Sequence, residues 1–234
     1  MRRSPLLLVF MIVFIDLMGF GIVIPLHPLY AERHHPSPLV FGLFMASYSL
    51  MQFLFAPLLG RLSDRIGRRP VLLLSLAGTV IGYLLFAFQH SLQMLFLARL
   101  VGGAMGANVA TAQAVVADLT EPRDRARGMG LVGAAFGLGF ILGPAIGGAA
   151  LRFGESAPGL AAAALSAAAL VLALFTLPET RHRGKAESPR LRERDWFTAR
   201  RLLQALGHPQ IGSLLVLFFL ATFAFASFEA TLAL

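Results

Sequence analysis

Long apolar runs constrain this chain more than any other feature of its sequence. Of its 234 residues, 57% are hydrophobic and 14% are charged, and the charges fall mainly in short gaps between the runs. A helix of about twenty residues, rising ~1.5 Å per residue, crosses the ~30 Å hydrocarbon core of a bilayer. Six complete runs of about this length are predicted to be membrane-spanning helices: 6–26, 40–59, 71–88, 92–117, 128–151 and 158–177.

The predicted fold class is an all-α membrane protein with three parts. Residues 1–177 form a six-helix transmembrane bundle, 178–210 a cytoplasmic linker, and 211–234 an incomplete seventh transmembrane helix. Within the polar linker, 195–206 could form a short helix on the membrane surface or could simply be solvated. The chain has no cysteine, which excludes disulfide frameworks and thiolate metal sites.

The basic residues predict the orientation of the bundle. Seventeen of the 20 lysines and arginines lie at the N-terminus or in the second, fourth and sixth gaps, whereas Arg33 and Arg152 lie in the other gaps. Because cytoplasmic loops carry an excess of Lys and Arg, the N-terminus is predicted to be cytoplasmic. The protein is therefore expected to be a multi-pass component of the cell inner (cytoplasmic) membrane. A nucleic-acid partner is not expected, since no polar basic face is present.

The stretch 60–70 is predicted to be a short charged turn at the cytoplasmic face, because its four arginines cannot cross lipid. Its pattern resembles the signature loop between helices two and three of major facilitator superfamily transporters. Together with 51–57, it is similar to the drug/proton antiporters and most of all to the tetracycline/proton antiporters. The residues that carry this resemblance are Gly60, Asp64, Arg65, Gly67, Arg68 and Arg69. The resemblance implies the N-terminal half of a twelve-helix fold, with two six-helix bundles around a central cavity.

The fifth run is rich in glycine. Gly139, Gly143 and Gly147 recur every four residues, which predicts a bare stripe for close helix packing. Pro144 is predicted to kink this helix. The run 139–148 resembles the motif that marks antiporters within the superfamily, carried here by Gly139, Gly143, Pro144, Gly147 and Gly148.

Asp16 lies near the middle of the first run, in a stretch that resembles the first helix of the tetracycline antiporters. A carboxylate at this depth is costly, so it should face a wet cavity or a partner. Two interpretations stay open: a proton carrier, or a structural acid hydrogen-bonded to another helix. In the outer half of the same run, Gly19, Gly21 and Pro25 predict a bend.

Arg99 is placed about six residues into the fourth run. It stays charged there and needs an acid, carbonyl groups or water as partners. Together with Gly102 and Gly103 it resembles the arginine-plus-glycine motif of the family, which implies a role in proton coupling. The alternative is snorkelling of its side chain to the outer headgroups.

Four polar residues are assigned to the substrate path. Tyr48 and Gln52 are one turn apart in the second run and share a face, as Asn108 and Thr111 can in the fourth run. Gln52 could contact substrate or hydrogen-bond to another helix. The resemblance implies that Gln52 lines the drug path.

A charge cluster of Asp64, Arg68 and Asp118 is predicted at the cytoplasmic end of the bundle. Arg68 follows Asp64 by four residues, and the resemblance brings Asp118, at the end of the fourth run, to the same place. The planar guanidinium of arginine can satisfy carboxylates on two sides. This cluster is predicted to be a conformational latch that holds the cytoplasmic side closed in the outward-open state.

The expected function is proton-coupled efflux of tetracycline-like or other amphipathic drugs by alternating access. The expected partners are the lipid bilayer, the drug, protons, and a C-terminal half or partner chain. No cofactor, metal or enzymatic activity is expected: the proton gradient supplies the energy, and the His34–His35 pair has no further ligand cluster nearby. The alternatives are a seven-helix receptor or sensor and a truncated, non-functional transporter fragment.

Overall fold

A computed structural model describes residues 5–106, 108–179, 207–208, 212–214, 216–217 and 219–220. The elements identified in this part of the chain are helices, and apart from the short 3₁₀ helix Leu151–Phe153 they are α-helices. Their bounds are α1 Pro5–Val23, α2 Leu26–Glu32, α3 Pro38–Ile66, α4 Arg68–Ala87, α5 Leu92–Met105, α6 Asn108–Leu119, α7 Arg125–Ala150 and α8 Ala157–Thr176.

These helices form six segments that are long and apolar enough to cross a membrane, which confirms the predicted fold class. The segments are Leu6–Glu32, Pro38–Ile66, Arg68–Ala87, Leu92–Leu119, Arg125–Phe153 and Ala157–Thr176. They belong to one compact unit, Met1–Arg181, while His182–Leu234 forms a second unit. Most of the predicted linker 178–210 and of the predicted seventh helix 211–234 lies outside the described residues.

The first span is interrupted in its C-terminal half, where a bend was predicted. α1 ends at Val23 and α2 begins at Leu26, so the interruption falls at Pro25, which cannot donate a backbone hydrogen bond. Gly19 and Gly21 instead lie inside α1 and serve close packing. A Cβ atom at Gly21 would lie only 2.6 Å from the carbonyl oxygen of Gly139 in α7. The span also extends to Glu32, further than the predicted 6–26.

The fourth span is two helices, so the prediction of one helix over 92–117 is wrong. α5 ends at Met105 and α6 begins at Asn108. The carbonyl oxygen of Gly106 accepts a hydrogen bond from the side-chain amide of Gln52, at 3.1 Å. Because backbone groups in lipid must be satisfied within the protein, this contact from another helix stabilises the interruption.

The charged stretch 60–70 is almost entirely helical, so its prediction as a turn is wrong. α3 continues to Ile66 and α4 begins at Arg68, which leaves Gly67 alone between them. Gly67 has φ 115° and ψ 159°, a backbone conformation that is essentially restricted to glycine. One glycine therefore separates the two helices, and the arginines lie near the helix ends.

The glycine stripe of α7 packs against α1, as its spacing predicted. A Cβ atom at Gly139 would lie 2.9 Å from the carbonyl carbon of Leu17, and one at Gly147 would lie 3.0 Å from the carbonyl oxygen of Ile22. Gly148 does not belong to this stripe, because it is exposed and a Cβ there would meet no atom within 4 Å. Pro144 lies inside α7 without ending it.

Candidate functional site

The carboxylate of Asp16 is buried between helices and accepts two hydrogen bonds. Ser166 Oγ donates to Asp16 Oδ1 at 2.7 Å, and Asn108 Nδ2 donates to Asp16 Oδ2 at 2.8 Å. The same Asn108 nitrogen lies 3.0 Å from Thr79 Oγ1. These four residues, the Asp16 cluster, join α1, α4, α6 and α8 in the interior of the bundle. Asp16 is only 6% exposed and is the one buried carboxylate in the part of the chain that the structure describes.

The interruption of the fourth span positions Asn108 in this cluster, because Asn108 is the first residue of α6. Its Oδ1 atom is buried without a hydrogen-bond partner among the described residues. Thr79 donates its own hydroxyl proton to the carbonyl oxygen of Ser75, at 3.0 Å. The Asp16 cluster therefore holds a carboxylate, two donors to it and one unused acceptor. Thr111, also assigned to the substrate path, is buried one turn further along α6.

These contacts bear directly on the two interpretations of Asp16. The hydrogen bonds to Asn108 and Ser166 are the helix-to-helix contacts that a structural acid requires. They do not test whether the carboxyl group of Asp16 binds and releases a proton, so the proton-carrier role stays a prediction. The structure groups Asn108 with Asp16, and its place in the substrate path likewise stays a prediction.

Arg99 is held by α3. Its Nη2 atom donates to the carbonyl oxygen of Met45 at 2.8 Å. Its guanidinium carbon lies 5.0 Å from the centre of the Phe44 ring and 5.8 Å from that of Tyr48, which is cation–π distance. One of the partners predicted for this arginine, a carbonyl group, is thus present. The role of Arg99 in proton coupling stays a prediction.

Tyr48 and Gln52 reach the same place, the interruption between α5 and α6. Gln52 donates to the Gly106 carbonyl oxygen, and the Tyr48 hydroxyl lies 2.9 Å from where a Cβ atom at Gly106 would be. The shared face predicted for these two residues is confirmed. For Gln52 the structure shows the helix-to-helix hydrogen bond, one of its two predicted uses.

The predicted charge cluster is present at one end of the bundle. Arg68 Nη1 lies 2.7 Å from Asp64 Oδ1, and Arg68 Nε lies 3.2 Å from Asp118 Oδ2. The Nη1 atom also donates to Ser63 Oγ at 3.3 Å. Arg68 therefore joins α3, α4 and α6. The end of the bundle where α3 and α6 end and α4 begins is called the basic end. The three charged residues are called the Arg68 cluster, and their role as a latch stays a prediction.

Among the residues that sequence reasoning missed are Ser63, Thr79 and Ser166 in these contacts, and Glu179 at the basic end. Ser166 carried a usable signal, since it is the only polar side chain between Ala157 and Phe175 and should seek a partner in lipid. Glu179 accepts hydrogen bonds from the backbone nitrogens of Arg68, at 2.9 Å, and Arg69, at 3.3 Å. Its only signal was an acid directly after the last span.

Six spanning segments, a buried polar cluster and an arginine cluster at one bundle end define a multi-pass α-helical membrane protein. The chain belongs to the Major Facilitator Superfamily, whose family model matches residues 9–234. Its relatives include the class E tetracycline resistance protein of Escherichia coli, 40% identical over 221 residues that cover 93% of this chain and 54% of that protein. The class B protein of Escherichia coli is 44% identical over 174 residues, covering 73% and 43% respectively.

A solved structure with the same fold is the human organic anion transporter MFSD10 (TETRAN). It superimposes with a TM-score of 0.69 and 33% sequence identity over 77% of this chain and 48% of the human chain. The chain thus spans about half the length of the relatives that it matches. These matches confirm the resemblance to the drug/proton antiporters and do not favour a seven-helix receptor or sensor.

Proposed function

We propose that this chain is one half of a proton-coupled antiporter that exports tetracycline-like or other amphipathic drugs by alternating access. Its relatives named as tetracycline resistance proteins support the substrate class. The half-length match supports a second half, from a longer chain or a partner, since alternating access requires two bundles to rock against each other. The proton gradient supplies the energy, and no cofactor is needed.

The observation that carries the proposal is the buried carboxylate of Asp16 with its neighbouring hydrogen-bond groups. When Asp16 is ionised, the amide nitrogen of Asn108 and the hydroxyl of Ser166 donate to it. When Asp16 binds a proton, its carboxyl group becomes a donor, and rotation of the Asn108 amide would present Oδ1 as the acceptor. The cluster can thus satisfy both protonation states, as a carrier that gains and loses a proton in each cycle must.

In the proposed orientation, the basic end faces the cytoplasm. The excess of arginine at that end supports this orientation. The Arg68 cluster acts there as the latch that keeps the cytoplasmic side closed in the outward-open state. Arg99 supplies a fixed positive charge beside Tyr48, on the proposed drug path.

The test compares Asp16→Asn with the unchanged protein, assembled with its second half in inverted membrane vesicles. A proton carrier predicts that drug uptake driven by a pH gradient is lost, whereas exchange of external for internal drug continues, because exchange needs no net proton movement. The yield of folded protein should stay within about twofold, because Asn can still accept the hydrogen bond from Ser166. Glu155→Gln, which changes an exposed acid at the opposite end, is the matched control.

The structural interpretation of Asp16 predicts a different pattern. Asp16→Asn would then lower the folded yield, or both kinds of transport equally, without separating them. Normal pH-driven uptake by Asp16→Asn would exclude Asp16 as the carrier. The absence of drug transport by the unchanged protein would refute the proposed substrate class.

A further inference from the structure

Two helix ends meet at the basic end of the bundle: the start of α4 is capped by a side chain that follows α8, and the end of α8 is capped by a side chain of α4. The carboxylate of Glu179, three residues after the end of α8, accepts from the backbone nitrogens of Arg68 and Arg69, the first two residues of α4. In return, Arg69 Nη2 donates to the carbonyl oxygen of Leu174 in the last turn of α8, at 2.6 Å. We call these contacts the α4–α8 clasp.

The clasp satisfies groups that helices leave unpaired. The first N–H groups and last C=O groups of an α-helix have no partner within the helix, and the macrodipole adds partial positive and negative charge at these ends. The residue before α4 is Gly67, which has no side chain to act as a cap. Glu179 supplies that cap as a charged acceptor, and Arg69 brings a positive charge to the C-terminal end of α8.

The clasp also fixes the residue on which the Arg68 cluster depends. Arg68 is held at its backbone nitrogen by Glu179, while its guanidinium group contacts Asp64 and Asp118. Gly67 is part of this arrangement, because a Cβ atom there would collide with the Glu179 carboxylate. A shift of Glu179 would therefore move the start of α4 and, with it, the guanidinium group.

We propose that Glu179 is a positioning residue for the latch and that Arg69 assists it from the opposite direction. The inference rests on the proposed function, in which the Arg68 cluster closes the cytoplasmic side. Glu179 follows the last span of the bundle, at the point where the chain continues towards the second unit. The clasp therefore connects Glu179, in the segment directly after α8, to the closure of the cytoplasmic side.

The test uses a cysteine reporter beneath the latch. The chain has no cysteine, so Val71→Cys introduces a single thiol. Val71, in the first turn of α4, is fully buried and packs with Leu59 of α3. The rate at which maleimide labels a cysteine at this position in membranes therefore reports opening of the basic end. Glu179→Gln removes the charge and one acceptor oxygen, and we expect labelling about fivefold faster, the equivalent of the ~1 kcal/mol that loss of a helix N-cap costs.

Two further variants separate positioning from simple helix capping. Glu179→Asp keeps the charged acceptor and should restore much of the slow labelling. In a background of Arg68→Ala, which removes the latch, Glu179→Gln should add less than about twofold, because coupled residues are not additive. Glu121→Gln is the matched control: it removes an exposed acid at the same end, outside the clasp, and should leave labelling unchanged.

Unchanged labelling in Glu179→Gln would overturn the inference. An equal increase with and without Arg68 would also overturn it, because Glu179 would then stabilise α4 without acting through the latch. Drug transport is measured separately on the unchanged protein. Its absence, with the expected labelling pattern intact, would refute the proposed function and leave the clasp standing.

Discussion

The contact between α1 and α7 leaves no room for a side chain, and this gives the sharpest prediction of stability. A Cβ atom at Gly143 would lie 2.5 Å from the carbonyl carbon of Gly21, 2.6 Å from its Cα atom and 2.8 Å from the backbone nitrogen of Ile22. Carbon atoms in contact prefer about 3.5–4.0 Å. Because these neighbours are backbone atoms that cannot rotate away, Gly143→Ala should force α7 outward by about 1 Å.

The expected cost follows from two opposing terms. Overpacking of this kind destabilises by about 1–3 kcal/mol, and the backbone clash places Gly143→Ala near the upper value. Alanine also favours the helix over glycine by about 1 kcal/mol. The net loss should therefore be about 2 kcal/mol.

Gly137→Ala provides the matched control, because it makes the same substitution in the same helix. Gly137 is exposed, and a Cβ atom there would meet no atom within 4 Å. The helix-propensity gain is common to both variants, so the difference between them isolates the overpacking at α1. We expect Gly137→Ala to be neutral or to raise the stability slightly.

Thermal unfolding of purified protein in detergent, followed by the loss of monomer on size exclusion, measures both variants. A change of 1 kcal/mol shifts the midpoint by about 2–4 °C for a protein of this size. Gly143→Ala should therefore unfold several degrees below Gly137→Ala. Equal midpoints would refute the reasoning, since they would mean that α7 can retreat from α1 without cost.

Two further predictions test the interrupted span and the orientation. Gln52→Leu removes the hydrogen bond to the Gly106 carbonyl oxygen, so it should lower the free energy of unfolding by about 1–3 kcal/mol. The control Gln113→Leu, on an exposed face of α6, should change the free energy of unfolding little. Equal effects of the two variants would show that the Gln52 hydrogen bond adds no stability. A single cysteine at exposed His34 should react with a membrane-impermeant reagent on intact cells, and one at exposed Glu121 only after permeabilisation. The reverse pattern would invert the proposed orientation.

The span count was predictable because it depends on local properties. Twenty apolar residues cross a bilayer whatever surrounds them, so the six runs could be located from the sequence to within a few residues at most boundaries. The glycine stripe was predictable for the same reason, since a repeat of four residues places Gly139, Gly143 and Gly147 on one face. The pairing of Asp64 with Arg68 likewise followed from their spacing within the chain.

The errors arose where the unpaired backbone groups of a helix end find their hydrogen-bond partner in a distant part of the chain. Residues 92–117 were predicted as one helix, because no proline near Gly106 in the sequence indicates an interruption. The hydrogen bond that stabilises the interruption comes from Gln52, 54 positions before Gly106. The stretch 60–70 was predicted as a turn, because a run of charged residues indicates where the membrane ends but not where a helix ends. The cap that allows α4 to begin at Arg68 comes from Glu179, 111 positions away.

The sequence by itself thus determined the spans, the distribution of charge and the face that α7 offers for close packing. Only the tertiary structure decided what Asp16 contacts, since Asn108 and Ser166 lie 92 and 150 positions from it. The physical reason is that hydropathy and periodicity act over one or two helical turns. The partner of a buried polar group is set instead by which helices pack together, and several arrangements of six helices would satisfy the same pattern.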